Sequence, residues 1–180
     1  TEFLMAIRMP PDRAHRLMRV ITDFLNAWID LQMKTFPTID GIFLLDDIIG
    51  FIGDTEFRTF GLPYFKELYD KDVSVKFLHN DAPCRVSAPY LPEIGVNLFN
   101  MGFEVNLNEL KEVTGNRVTM LGNIPPRDVL ASATPDEVEQ ATRALVESLD
   151  DPSRVIFSCG GGMPPGVSSE NVQAFLRGLK

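Results

Sequence analysis

The chain has 180 residues, of which 44% are hydrophobic and 23% charged, proportions that exclude collagen, a coiled coil and a disordered chain. Its 17 basic and 25 acidic residues give a net charge of −8, which argues against a nucleic-acid partner because phosphate binding needs a basic surface. No apolar stretch reaches the length of about 20 residues that spans a membrane. The absence of a signal-peptide pattern and the presence of only two cysteines predict a cytoplasmic location.

The spacing of apolar residues predicts alternating helices and strands. A long amphipathic helix is expected from Pro10 to Phe36, where apolar residues recur every three or four positions. Five short apolar runs, typical of strands covered on both faces, are Gly41–Leu45, Val73–Leu78, Val96–Phe99, Val118–Leu121 and Val155–Phe157. The helical stretches between and after them are Phe60–Tyr69, Pro89–Ile94, Leu107–Thr114, a helix opened by the capping box at Thr134 and running to about Leu149, and a last helix capped by Ser168.

This alternation predicts an α/β fold, with a parallel sheet built from about five right-handed βα units in a single domain over residues 1–180. A closed (β/α)₈ TIM barrel needs eight strands and typically about 250 residues. The sheet is therefore expected either to be open or to be part of a larger barrel.

Polar residues follow every predicted strand. They are Asp46 and Asp47, then His79, Asn80 and Asp81, then Asn100, then Asn123, and finally Ser158 and Cys159. Polar residues also favour turns, but ligands of parallel α/β folds bind at the carboxyl ends of the strands. The repetition after all five strands favours one shared pocket.

The histidine and the cysteines among these residues suggest metal chemistry. His79 is either a metal ligand and proton carrier or a hydrogen-bonded structural residue. Cys159 is either a zinc ligand or a small buried hydrophobic residue, and Cys84, five positions after His79, is within reach of the same centre. The other histidine, His15, is expected on the solvated side of the first helix.

Consecutive side chains diverge along an extended backbone, so at most one of Asp46 and Asp47 is expected to face the pocket. There it would act as a general acid or base or bind substrate, with a helix N-cap as the alternative. The run Gly160-Gly161-Gly162 permits a ligand to approach the backbone closely or φ to be positive. Its spacing does not match a nucleotide-binding motif.

Several of these segments together resemble the uroporphyrinogen decarboxylase superfamily, in the order of that family's carboxy-terminal part. They are Asp40–Asp46, Phe60–Tyr64, Phe77–His79, Gly95–Asn97, Leu121–Ile124, Gly160–Pro165 and Glu170–Val172. The resemblance covers nearly the whole chain. It implies a partial TIM barrel from which the first three strands are missing.

The resemblance is greater to the branch of corrinoid-dependent methyltransferases, in which zinc held by His-x-Cys and a late Cys activates a thiol to accept a methyl group. His79 matches the first ligand, Asp81 stands at the next Cys position, and Gly161 stands at the late one. The implied zinc ligands are His79 and Cys159 with Asp81 or Cys84, and the implied partner is a corrinoid protein or a small-molecule substrate. The catalytic candidates are Asp46, His79 and Asn123, and the substrate-binding candidates are Asp47, Asn100, Gly160, Gly161 and Gly162.

Two other readings stay open. The decarboxylase branch acts without a cofactor and has a late His where this chain has Gly161, and its arginine-bearing segment has no counterpart here. Alternatively, the chain is inactive by itself, because an open five-stranded sheet exposes two edges. Those edges predict a homo-oligomer.

Overall fold

The structure is a computed structural model that describes residues 2–8 and 11–180. Five parallel strands form one sheet in the order β1-β2-β3-β4-β5. The strands are β1 (Gly41–Leu45), β2 (Val75–Asn80), β3 (Leu98–Met101), β4 (Thr119–Ile124) and β5 (Val155–Cys159). Each pair of neighbours is parallel and consecutive in the chain, so every connection is a crossover containing helix. The predicted α/β fold with five βα units of a TIM barrel is confirmed.

Eight α-helices accompany the sheet in the described residues. They are α1 (Glu2–Ala6), α2 (Pro11–Thr35), α3 (Asp54–Phe60), α4 (Leu62–Tyr69), α5 (Leu91–Ile94), α6 (Leu107–Val113), α7 (Pro135–Glu147) and α8 (Ser169–Gly178). Short 3₁₀ turns occupy Ile48–Phe51 and Ala88–Tyr90, and a π-helical turn occupies Pro126–Ala131. None of the helices in residues 2–8 and 11–180 has both the length and the hydropathy needed to cross a membrane.

Most predicted helix limits agree with the structure. The long first helix is present as α2, although Pro10 lies outside the described residues. The capping box is formed at the start of α7, where the Thr134 side chain accepts from the Glu137 N–H and the Glu137 carboxylate accepts from the Thr134 N–H. The Ser168 side chain caps α8 by accepting from the Asn171 N–H.

Four strands, β2 to β5, end later than predicted, because the residues after the apolar runs continue the backbone pairing. His79 lies inside β2, where it is paired with Leu45 on one side and Asn100 on the other. β4 likewise continues through Asn123, and β5 through Cys159. His79, Asn123 and Cys159 are therefore held by the sheet itself, whereas Asp46, Asp47 and Asp81 lie just beyond the strands.

The two faces of the sheet differ in their packing. Leu78, Phe99 and Met120 are fully buried on the face that the helices cover, here called the covered face. Alternate residues point to the opposite face, here called the open face, where Leu45 is 64% exposed and Ile156 50% exposed. In a TIM barrel the helices form the outer ring, so the open face corresponds to the inside of the barrel.

The expectation that His15 is a solvated surface residue is wrong. Its ring lies 4.7 Å from the ring of Phe60, and its Nδ1 is 2.8 Å from the Tyr64 hydroxyl oxygen. His15 therefore joins α2 to the helices that follow β1, a contact that requires tertiary structure and leaves no signal in the helical periodicity.

Candidate active site

The strand pairing brings the predicted residues to one end of the sheet. Leu45, His79, Asn100, Leu121 and Ile156 form a continuous row of register partners across all five strands. Their side chains share the open face, and the loops after the strands begin immediately beyond them. His79 and Asn100 are therefore adjacent in the row.

Asn100 determines which nitrogen of His79 carries hydrogen. The Asn100 Nδ2 lies 2.6 Å from the Leu121 carbonyl oxygen and 3.5 Å from the Cys159 carbonyl oxygen, and both oxygens only accept. The amide oxygen of Asn100 must then face His79, whose Nδ1 is 2.6 Å away. Because that oxygen also only accepts, Nδ1 must donate, and a neutral His79 has an unprotonated Nε2.

The unprotonated Nε2 of His79 faces a carboxylate. The distance from Nε2 to Asp81 Oδ2 is 3.4 Å, and the side chains of His79 and Asp81 are 15% and 48% exposed. Two acceptors that face each other repel unless a positive charge lies between them or one of them is protonated. A metal cation between these two atoms would therefore be stabilised by both.

Asp81 itself is held by two neighbouring loops. Its backbone N–H donates to Asp47 Oδ1 at 2.7 Å, which ties the end of β2 to the end of β1. Its carboxylate lies against Gly161, where a Cβ would be 2.6 Å from Oδ1. Asp47 is thus directed toward Asp81, and its predicted role in substrate binding stays a prediction.

Asp46 has a different environment. Its Oδ1 accepts from the Ile48 N–H at 2.8 Å and so caps the turn that follows β1. Burial raises the pKa of the Asp46 carboxyl above its ordinary value, and that shift favours the protonated acid. Asp46 therefore caps the turn. Its role as a general acid stays a prediction.

Asn123 is used by the structure to hold a loop. Its Nδ2 donates to the Val105 carbonyl oxygen at 2.8 Å, and the side chain is buried. In the glycine run, a Cβ on Gly160 would be 2.7 Å from the Phe103 backbone nitrogen, whereas one on Gly162 would meet nothing within 4 Å. Gly160 therefore serves the packing of two loops, and Gly162 alone of the three is open to a ligand. Their predicted roles in binding and catalysis stay predictions.

The two cysteines lie in different surroundings. The Cys159 Sγ lies 3.4 Å from the Gly161 carbonyl oxygen, and burial, with a contribution from the nearby Asp81 carboxylate, raises the pKa of its thiol. Cys84 belongs to the hydrophobic core, and burial raises the pKa of its thiol to about 11. A metal requires the thiolate, so the environment of Cys84 opposes the ligand role predicted for it.

His79 and Asp81 are spaced as two of the ligands of a zinc ion would be. Two ligands about 2.1 Å from a tetrahedral zinc ion are about 3.4 Å apart, which matches the separation of His79 Nε2 and Asp81 Oδ2. The hydrogen bond from His79 Nδ1 to Asn100 is the support that a ligating histidine usually has. Across residues 2–8 and 11–180, however, no group of three or more His, Cys, Asp or Glu side chains is arranged to hold a metal. His79 and Asp81 supply two donors, and Cys159 is close enough to Asp81 for the carboxylate to affect the pKa of its thiol.

Two cavities open beside Asp81 and share Gly102 and Phe103. One, of about 490 Å³, extends past Cys84 and Arg85 toward α6. The other, of about 370 Å³, is bordered by Gly160 and by Arg127 in the loop after β4. Phe103 and Arg127 were missed by the sequence reasoning. Their position within four residues of the end of a parallel strand was the available signal.

Comparison with known proteins places the chain in a family. The family model described as "Uroporphyrinogen decarboxylase (URO-D)" matches residues 1–180. The chain therefore belongs to the uroporphyrinogen decarboxylase family, and the predicted resemblance is confirmed.

The curated relatives include both a decarboxylase and a methyltransferase. A uroporphyrinogen decarboxylase of Chloroherpeton thalassium is 26% identical, over 94% of this chain and 49% of the relative. A methylated-thiol--coenzyme M methyltransferase of Methanosarcina mazei is 27% identical, over 94% of this chain and 45% of the relative. The chain thus spans about half the length of the curated relatives that it matches.

A solved structure shows the same fold. A methyltransferase from Methanosarcina mazei superposes with a TM-score of 0.70 at 19% identity, over 89% of this chain and 46% of that one. The similarity supports the arrangement of the strands and helices described above.

Proposed function

We propose that the chain carries the site of a corrinoid-linked methyltransferase, which passes a methyl group to a thiol or a similar acceptor. The observation that carries the proposal is the facing pair of acceptors, His79 Nε2 and Asp81 Oδ2, at 3.4 Å. Such a pair stabilises a cation at the rim of the open face, and a cation there stabilises a thiolate. The name of the Methanosarcina mazei relative is consistent with a thiol as the acceptor.

The residues around the pair have separable tasks. Asn100 keeps Nε2 of His79 free of hydrogen by accepting from Nδ1. Asp47 holds the Asp81 backbone, and the thiol of Cys159 lies close enough to Asp81 for the carboxylate to affect its pKa. The cavity between Asp81, Phe103 and Arg127 offers room for the acceptor beside the pair.

Zinc is the cofactor proposed for this site. His79 and Asp81 would hold it, with Cys159 as the proposed third ligand. When bound, zinc supplies a Lewis acid that keeps the acceptor sulfur ionised near neutral pH. A corrinoid protein is the proposed partner that delivers the methyl group.

The proposal is tested by metal analysis and a transfer assay on the same protein. Purified chain equilibrated with zinc should retain about one equivalent, and His79→Ala and Cys159→Ala should both lose it. Methylcobalamin and a small thiol should then give thioether and demethylated cobalamin, followed by absorbance, and His79→Ala should abolish the reaction. The control is His15→Ala, which removes the histidine outside the site. Wild-type protein that retains no zinc and transfers no methyl group would contradict the proposal.

A cofactor-independent decarboxylase is the second candidate, because curated relatives such as that of Chloroherpeton thalassium bear this name. The raised pKa of Asp46, caused by burial, gives this candidate a proton donor at the rim. Incubation with uroporphyrinogen separates the two candidates. Formation of coproporphyrinogen would reverse their order.

Assembly of two or more copies is proposed on the exposed edges of the sheet. Among the described residues, no strand pairs with the outer edge of β1 or of β5. Unpaired edges and an exposed apolar face favour association. Size-exclusion chromatography with light scattering should therefore give a mass above 20.1 kDa, and a stable monomer would reject the assembly.

A further inference from the structure

We infer that Asp47 and Gly161 are positioning residues, which together fix the carboxylate of Asp81 as the second donor beside His79. The inference rests on the proposed cation-binding role of the pair and deepens it. It assigns a cause to the orientation of Asp81, whose side chain is 48% exposed and would otherwise be free to change rotamer.

Asp47 acts on the backbone of Asp81. The hydrogen bond from the Asp81 N–H to Asp47 Oδ1 is 2.7 Å long and crosses from the end of β2 to the end of β1. On the other side, a Cβ at Gly102 would lie 2.9 Å from the Asp81 carbonyl oxygen, so the loop after β3 also packs against this peptide. The Asp81 side chain therefore starts from a backbone that is held from both sides.

Gly161 acts on the carboxylate of Asp81. A Cβ at position 161 would lie 2.6 Å from Oδ1, 2.7 Å from Oδ2 and 2.9 Å from Cγ of Asp81. Distances below 3.0 Å are essentially never shown by real Cβ atoms. Any side chain at position 161 and the present carboxylate of Asp81 therefore exclude each other. The space beside the Gly161 backbone is the space that the carboxylate occupies.

The result is a contact among three loops. The loop after β1 supplies Asp47, the loop after β2 supplies Asp81 and the loop after β5 supplies Gly161, although the first and last are more than one hundred positions apart in the chain. The carboxylate lies between Gly161 and His79, and the His79 ring is fixed by Asn100. Both donors of the pair are thus preorganised, which is what a cation site at the edge of a sheet requires.

The steric part is tested by a double-mutant cycle in urea unfolding. Gly161→Ala also strains the backbone, because φ at this position is +73°. Gly166→Ala is the matched control, since φ is +88° there and a Cβ would meet nothing within 4 Å. We expect Gly161→Ala to lower the unfolding midpoint slightly more than Gly166→Ala does, because the half-exposed Asp81 carboxylate must move aside. We expect the excess to disappear when Asp81 is also replaced by Ala.

If Gly161→Ala is equally damaging with Asp81 present and absent, the carboxylate does not occupy this space and the inference is overturned. This outcome is independent of metal. A wild-type chain that binds no zinc would refute the proposed cofactor while the cycle would still decide whether Gly161 positions Asp81.

The functional part is tested by titrating the metal-free chain with zinc alone, followed by calorimetry. Gly161→Ala and Asp47→Ala should each weaken the affinity about tenfold or more, as the loss of a supporting residue does in other metal sites. Asp47→Asn retains an oxygen that can accept from the Asp81 N–H, so it should restore most of the affinity. Equal weakening by Asp47→Asn and Asp47→Ala would assign the effect to the charge of Asp47 and reject its positioning role.

Discussion

The open face and the covered face are made by the same five strands, yet one carries a polar site and the other packs against the helices. The covered face holds Leu78, Phe99 and Met120, all fully buried against helices. The open face holds the polar pair His79 and Asn100 within a row whose outer members, Leu45 and Ile156, are exposed. Alternation along each strand makes this division possible, because adjacent residues point to opposite faces. Stability is therefore concentrated on one side of the sheet, and the candidate chemistry on the other.

The largest difference in stability is expected between two variants that each remove a phenylalanine, one on the covered face and one on the open face. Phe99→Ala should lower the free energy of unfolding by about 3–5 kcal/mol, because it empties a closed core position. Phe43→Ala, at a side chain that is 51% exposed, should cost less than about 1 kcal/mol. Urea unfolding of both variants gives the two values. Similar losses would show that the open face is packed in solution, as it would be in an assembly.

A smaller effect is expected where the open face is polar. Asn100→Ala should cost about 1–3 kcal/mol, because it removes a buried amide and leaves the Leu121 carbonyl without its side-chain partner. Asn108→Ala, which removes an exposed hydrogen bond to the Ser148 carbonyl, is the control and should cost less than about 1 kcal/mol. Equal losses in thermal or urea unfolding would mean that Asn100 is not the buried support described for His79.

The smallest effect is expected from a charged residue away from both faces, Asp151, in the connection between α7 and β5. The Ser153 hydroxyl and backbone N–H, together with the Lys111 ammonium, hold the pKa of Asp151 well below the ordinary value of 3.8. A lowered pKa in the folded state stabilises the fold above pH 3.8, and this contribution is lost as the pH falls below that value. Asp151→Asn should therefore be less stable than wild type at neutral pH and should lose less stability on acidification. The free energy of unfolding of both proteins, measured between neutral and acidic pH, checks this. A constant difference between the two proteins over that range would contradict it.

The sequence predicts which residues lie at the carboxyl end of the sheet, but not which of them contact each other. Five apolar runs placed the strands, and the rule for parallel sheets placed the residues after them at one end. His79 could not be assigned to the strand itself, because only its pairing with Leu45 and Asn100 extends β2 that far. The fit between Asp81 and Gly161 depends on two loops about eighty positions apart, and no local pattern encodes it.

The surroundings of His15 and of the two cysteines could not be predicted for the same reason, because they depend on contacts between distant segments. The periodicity of α2 shows which face is apolar, but the contact of His15 with Tyr64 depends on where another helix packs. Cys84 and Cys159 are chemically identical in the sequence. Both are buried, but only the fold places Cys84 in the larger hydrophobic cluster and Cys159 in the smaller one, beside the Gly161 carbonyl.

The measurement that tests the central claim most directly is the protonation of the two ring nitrogens of His79, read from ¹⁵N NMR of the imidazoles at a pH where the rings are neutral. With two histidines in the chain, His79→Ala assigns the signals. The structure predicts hydrogen on Nδ1 and an unprotonated Nε2 facing Asp81, and a shift toward the other tautomer in Asn100→Ala. Hydrogen on Nε2 in the wild-type protein would contradict the site, because that nitrogen could then neither bind a cation nor face the carboxylate as an acceptor.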